Sequence, residues 1–242
     1  MDPTHGGGLA RPRPAVYGRI EMKLPRPVTH VIFDLDGLLL DTERYYTEAT
    51  QQIVGRFGKR FDWSIKSNMM GRTAIEAARY LVRALDLPVA PEQYLKQREA
   101  ILAELMPLAE PMPGAEEITR ALHDAGVSQA IATSSERWMF ELKVQRHREW
   151  LGVFDAVVVG DDSRLRAGKP APDIFLLAAG ELGAEPASCV VVEDAPAGVQ
   201  AAHAAGMQVV AVPYPGMEPE RLAQAELLLD SLTQITPADL GL

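Results

Sequence analysis

Asp34 and Asp36 stand two residues apart in Asp34-Leu35-Asp36-Gly37, directly after the apolar run Val31-Ile32-Phe33. In extended chain, side chains two apart point to the same side. Both carboxylates can therefore face one site, with Leu35 turned away. Further polar residues follow other apolar runs: Thr133-Ser134-Ser135, Lys169-Pro170 and Glu193-Asp194. Acids, hydroxyls and a lysine gathered in one crevice suit phosphoryl transfer, which needs a positioned nucleophile and cations against the phosphoryl oxygens. The donor set is rich in carboxylates and fits the hard cation Mg2+ better than zinc. Lys169 would supply a mobile point charge, and Thr133 with neighbouring backbone N–H groups could hold a phosphate oxygen.

These residues need a scaffold that brings strand ends together. Five short apolar runs read as buried strands: Val31 to Phe33, Gln129 to Thr133, Ala156 to Gly160, Cys189 to Val192 and Gln208 to Val212. Helical patterns separate the later runs. Gly114 to Ala125 places Ile118, Ala121, Leu122 and Ala125 on one face before Gly126. Ala197 to Ala205 follows Pro196 and ends at Gly206. Lys169-Pro170 marks the start of another helix, and Glu136 to Trp150 reads as one more. Strands alternating with helices predict an α/β fold, a Rossmann-like parallel sheet with helices on both faces. Such sheets bind ligands beyond the carboxyl ends of their strands.

One interval breaks the alternation. Residues 42–110 are mostly helical and far too long for a crossover, so they read as an inserted α-helical cap. The core is then 27–41 and 111–242. Residues 1–26, with Gly6-Gly7-Gly8 and Arg-Pro pairs, read as a disordered tail without the apolar centre of a secretory signal.

Bulk properties narrow the class. A net charge of −9 argues against a general nucleic-acid binder. No apolar stretch nears the roughly 20 residues of a membrane helix. One cysteine, Cys189, excludes a disulfide within the chain and a thiolate zinc cluster. It reads as a buried thiol. His5, His30, His123 and His203 lack metal-ligand spacing. The chain is expected to be cytoplasmic and monomeric, with neither nucleic-acid nor membrane partner.

Each motif has a plainer reading by itself. Asp34 and Asp36 could cap a turn, Thr133 could be a satisfied strand-end hydroxyl, Lys169 a surface lysine, and Glu193-Asp194 a helix cap. Their joint order resembles the four motifs of the haloacid dehalogenase superfamily, over roughly Val28 to Leu242. That resemblance implies that Asp34 attacks phosphorus and forms an aspartyl-phosphate, and that Asp36 carries the proton. It implies that Thr133 and Lys169 hold the phosphoryl group. Mg2+ would be bound by Asp34, the backbone carbonyl of Asp36, and Asp194, with Glu193 assisting. The strands before Asp34 and Asp194 would be neighbours. Dehalogenases lack an acid at the position of Asp36, and membrane ion pumps need spanning helices, so a soluble phosphatase acting on a small phosphorylated metabolite is the expected member.

Further strings sharpen this: Asp34 to Glu43, Met70-Gly71-Arg72, Lys143 to Glu149, Gly160-Asp161-Asp162, Lys169 to Phe175 and Glu193 to Gly198. They resemble the pseudouridine-5'-phosphatases and glycerol-3-phosphate phosphatases. Tyr46 lies near the position where β-phosphoglucomutases carry a cap histidine, which disfavours the alternative of a phosphomutase. A phosphoacceptor module without turnover is the other alternative. Gly37 to Thr42 would form the first hinge of the cap. Substrate contacts are assigned to Ser134, to Arg72 and to Lys143. Arg72 could equally be a surface arginine at a helix junction. Lys143, Arg146 and His147 share a helical face, at the substrate entrance or simply in solvent.

Overall fold

The computed structural model describes residues 24–69 and 73–242. The six strands found there are β1 His30–Phe33, β2 Ser128–Ala132, β3 Ala156–Val158, β4 Cys189–Glu193, β5 Gln208–Ala211 and β6 Leu227–Leu228. They form one sheet in the order β3-β2-β1-β4-β5-β6, every pair parallel. The expected neighbourhood of β1 and β4 is present. β6 escapes sequence reading because it is two residues long and one of them, Leu228, is exposed.

Side-chain alternation explains why both faces are covered. Val31, Phe33, Val190 and Val192 pack on one face with Ile118 and Leu122 of α5 (Ala115–Asp124) and Phe140 and Val144 of α6 (Arg137–Val144). Ile32, Val191 and Val209 pack on the other with Phe175 of α8 (Asp173–Glu181) and Val199 of α9 (Pro196–Ala204). Strands buried on both sides need continuous apolar runs, and these strands have them. Cys189 is a buried free thiol.

Two helical expectations need correction. The segment 136–150 is not one helix: α6 ends at Val144 and a separate turn, α7 (Arg148–Leu151), follows. The break lets the Trp150 indole N–H reach Thr119 Oγ1 in the core at 2.8 Å. It also brings the His147 ring against the Ala109 carbonyl at 2.6 Å. Lys169-Pro170 does not start a helix either; α8 begins at Asp173. Pro170 and Pro172 each disfavour helical geometry in the residue before them, which holds Lys169 and Ala171 in a loop.

Between β1 and α5 stand α1 (Glu43–Gly55), α2 (Trp63–Met69), α3 (Ala74–Ala84) and α4 (Pro91–Leu105). They have their own apolar cluster, with Ile53, Val54, Leu81 and Tyr94 at its centre. The chain leaves and re-enters the sheet domain side by side: Asp41 N donates to Glu110 O and Met112 N to Leu39 O, both at 2.9 Å. The helical insert thus hangs from two adjacent chain crossings beside the end of β1.

Candidate active site

Strand register assembles the site. Phe33 is level with Ile131 of β2 and Val192 of β4. Asp34, Ala132 and Glu193 therefore come one step later on three adjacent strands, with Thr133 and Asp194 just beyond. Lys169 arrives from the loop before α8. Its Nζ donates to Asp34 Oδ1 at 2.5 Å, Glu193 Oε1 at 2.7 Å and the Ala132 carbonyl at 3.0 Å. The other Asp34 oxygen accepts from the Asp36 N–H at 2.8 Å. Gly37 closes the turn with φ +81°, and a Cβ there would run into the Asp194 carboxylate. Glycine serves both needs, positive φ and close approach. The same closeness recurs at Gly160, where a Cβ would collide with the Ser134 carbonyl that shapes the loop after β2.

Charge in this cluster is unbalanced. Asp34, Glu193 and Asp194 are buried, and one ammonium, Lys169, meets two of them. Burial pushes the Asp34 carboxyl up to about 7; Lys169 pulls it down, while Glu193 and Asp36 add to the rise. Asp194 is held well above the ordinary carboxylate range, first by burial and then by Glu193 and Asp34. Burial lowers Lys169, but Asp34 and Glu193 more than offset it and keep it protonated. Such a site is short of positive charge.

Asp36 sits in a separate nest of donors. Oδ1 accepts from Lys143 Nζ at 2.5 Å and Thr42 Oγ1 at 2.7 Å. Oδ2 accepts from Ser135 Oγ at 2.8 Å and Thr133 Oγ1 at 3.1 Å. Burial alone would raise this carboxyl, but Lys143 and the hydroxyl donors outweigh it and hold it below its usual range. Thr42 precedes α1 and makes no side-chain cap to that helix, because its hydroxyl is turned to Asp36.

Two cavities meet here. One of about 480 Å³ is lined by Asp34, Asp36, Lys169, Glu193 and Asp194. The other, about 690 Å³, lies between the helical insert and α6 and is lined by Tyr46, Leu95, Arg98, Ser135, Trp138 and Met139 among others. Asp36, Glu43, Lys66 and Ser134 border both.

The sequence-assigned residues thus fall into three groups. Asp34, Asp36, Thr133, Lys169, Glu193 and Asp194 are brought together, and exposed Ser134 lines both cavities. Arg72 lies outside the described residues, with Met70 and Gly71. Lys143 requires correction: it is neither solvated nor at an entrance, but fully buried with its ammonium on Asp36, Ser135 Oγ (2.6 Å) and Tyr46 Oη (3.3 Å). Arg146 is exposed beside Glu110, and His147 faces Ala109. Glu193 also departs from its assignment as a ligand. One oxygen serves Lys169 and the other accepts from the Asp194 and Ala195 N–H groups, both at 2.9 Å.

The residues fit a magnesium ion. Asp194 is buried, its carboxylate receives no hydrogen bond from the described residues, and it neighbours Asp34 and Glu193 in a cluster where Lys169 is paired with those two and not with Asp194. Among the described residues no group of three or more His, Cys, Asp or Glu side chains could enclose a metal unaided. A pair of carboxylates suits Mg2+, which keeps waters and substrate oxygens in its sphere.

Sequence reading placed Ser135 at a strand end and Thr42 in a hinge without seeing that both donate to Asp36, and it did not single out Arg98. Ser135 could have been found by its place two residues after Thr133. Thr42 and Arg98 gain their positions from tertiary packing.

The haloacid dehalogenase-like hydrolase profile matches residues 31–212, from β1 through β5. A (DL)-glycerol-3-phosphatase of Arabidopsis thaliana is 46% identical over 220 residues, covering 89% of this chain and 92% of its own. A Drosophila melanogaster protein described as a probable pseudouridine-5'-phosphatase is 46% identical over 223 residues, covering 91% and 96%. A haloacid dehalogenase family hydrolase from Deinococcus radiodurans, solved with phosphate and sodium bound, superposes with a TM-score of 0.71 at 30% identity, covering 86% of this chain and 93% of that one. Sheet order, strand-end residues and the profile match agree: the chain belongs to the haloacid dehalogenase-like hydrolases and is a phosphatase of that family.

Proposed function

We propose that the enzyme hydrolyses a small phosphate monoester in two steps with Asp34 as covalent nucleophile and Mg2+ as cofactor. The observation that carries this reading is Lys169, clamped between Asp34 and Glu193 in a cavity where Asp194 has no ion-pair partner among the described residues. An Asp34 oxygen would form a bond to phosphorus as the ester P–O bond breaks, and the departing alkoxide would take a proton from Asp36. Asp36 would then remove a proton from water, whose oxygen attacks phosphorus, breaks the bond to Asp34 and releases inorganic phosphate. Proton donation requires Asp36 to be protonated and one of its four hydrogen bonds to open, so its nest of donors favours the base half of the cycle. Asp34 and Asp194, with the Asp36 carbonyl, would hold Mg2+, which supplies positive charge opposite the phosphoryl oxygens.

Residues 42–110 would act as a cap that swings on the paired crossings at 39–41 and 110–112 and excludes water when closed. Glycerol phosphate, pseudouridine 5'-phosphate and sugar phosphates are candidate substrates by likeness to the relatives. The test is release of inorganic phosphate from a panel of these esters, with Mg2+ and after chelation. Expected is release that stops with EDTA and returns with added Mg2+. Isomerised sugar phosphates without free phosphate, or stable phosphorylation without turnover, would overturn the reading.

A further inference from the structure

We infer that Arg98 recognises the end of the substrate remote from the phosphate, and that this end is a planar, uncharged group with carbonyl oxygens, as in a pyrimidine nucleoside 5'-monophosphate. The inference rests on the phosphatase reading and concerns the larger cavity beside the catalytic cluster.

Arg98 lies on α4 four residues after Tyr94 and four before Leu102, so the three share a helical face. That face is turned to α1 and the cavity: Arg98 and Leu102 both line it. The guanidinium carbon lies 5.7 Å from the Tyr94 ring centroid and 5.8 Å from that of Tyr46. Tyr94 is fully buried, with its hydroxyl 2.9 Å from Thr50 Oγ1. Two fixed rings thus orient the arginine head.

Among the described residues Arg98 Nε is buried without a partner and the half-buried side chain forms no ion pair. The contrast with Lys66, which lines the same cavity, is direct. Lys66 is matched by Glu43 and by Thr47 Oγ1, each at 2.9 Å. Arg44, Arg146, Arg148 and Arg164 all have carboxylate partners. Buried donors are normally satisfied, so a cavity-lining guanidinium without an acceptor is complementary to a ligand that brings one.

The surroundings say which ligand. A guanidinium edge presents parallel N–H donors to a planar group with oxygens. Glu43 there is matched by Lys66, but Glu99 and Glu136 line the same cavity with no basic partner among the described residues, so a second phosphate or a carboxylate would meet repulsion that a carbonyl does not. Phe61, Leu95, Leu102, Met139 and the exposed ring of Trp138 give an apolar wall for a flat ring. A cavity of about 690 Å³ is also more than a three-carbon ester fills. Position agrees: Arg98 contacts Tyr46, Tyr46 contacts Lys143, and Lys143 holds Asp36. The arginine is thus one ring beyond the reacting centre, where the alcohol portion of the ester would extend.

The test compares kcat/KM for uridine and pseudouridine 5'-monophosphates, 3-phosphoglycerate and glycerol 3-phosphate in the wild type, Arg98→Met and Arg98→Lys. Arg98→Met is expected to lower the preference for the nucleotides over glycerol 3-phosphate by ~30-fold, mainly through KM, and Arg98→Lys to restore only part of it. Nucleotide binding to Asp34→Asn protein, with and without Arg98→Met, reads the same contact when turnover is blocked, and an equal weakening is expected there. Uniform loss across all esters, an unchanged preference, or a loss largest on 3-phosphoglycerate would overturn the assignment. If the wild type bound nucleotides through Arg98 but released no phosphate from any ester, the phosphatase reading would fail and this one would stand.

Discussion

Asp34→Asn should lower kcat by about three orders of magnitude or more, yet yield a protein that melts higher than wild type in EDTA at pH 8. The amide keeps the size of the carboxylate, and its single oxygen can still accept from Lys169, which Glu193 and the Ala132 carbonyl also hold, while the bond from the Asp36 N–H is given up. It removes a buried charge that opposes folding. The Asp34 carboxyl is pushed up to about 7 by burial, above the roughly 3.9 of an unfolded chain. An acid of this kind contributes stability that is fully present below its unfolded value and is lost as pH rises through its folded one. The variant should therefore gain most above pH 7, by ~4 °C or more on a thermal scan, and the gain should shrink as pH falls towards 4. Full activity in the variant would remove Asp34 from the chemistry. A pH-independent melting difference would contradict the charge imbalance.

Lys169→Met is expected to damage both stability and turnover. It leaves Asp34 and Glu193 without the ammonium that each contacts, next to Asp194, all three buried. Breaking a buried ion pair from one side costs about 3–5 kcal/mol, and the lost cation would no longer stabilise charge on the phosphoryl group. Losing the ammonium raises the neighbouring carboxyls further, so acid should relieve the strain. Urea denaturation at pH 8 and pH 5 should show a deficit that narrows at the lower pH. Added Mg2+ should recover part of the stability at pH 8 and little of the activity. Equal stability of variant and wild type at pH 8 would mean that Lys169 does not compensate the cluster.

Most of the site was readable because parallel strands in register convert sequence position into spatial level. Asp34, Thr133 and Glu193-Asp194 each follow a β-branched or apolar run, and such runs end at one edge of a doubly covered sheet. Helices between β1 and α5 were to be expected from the length of that interval, its helical pattern and its lack of strand runs. Lys143 was misjudged because counting i, i+3 and i+4 to Arg146 and His147 assumed a helix that continues. The flanking Met139, Phe140 and Val144 are the better guide; all three are buried and carry Lys143 inward with them. Glu193 and Asp194 are adjacent acids whose roles separate only when backbone direction is known: one turns to Lys169 and two N–H groups, the other to the Asp34 side. Arg98 could not be singled out, since its meaning depends on α4 packing against α1 and on its forming no ion pair with any described residue although Glu99 is its neighbour in the chain.

The central claim is the covalent attack by Asp34, and the most direct measurement is borohydride trapping during turnover followed by peptide mapping. An aspartyl-phosphate is reduced to homoserine, whereas a free carboxylate is not. The account predicts homoserine at position 34, formed only with both Mg2+ and a phosphate ester present, and absent from Asp34→Asn protein. Rapid phosphate release with residue 34 unmodified, or homoserine at another aspartate, would contradict it.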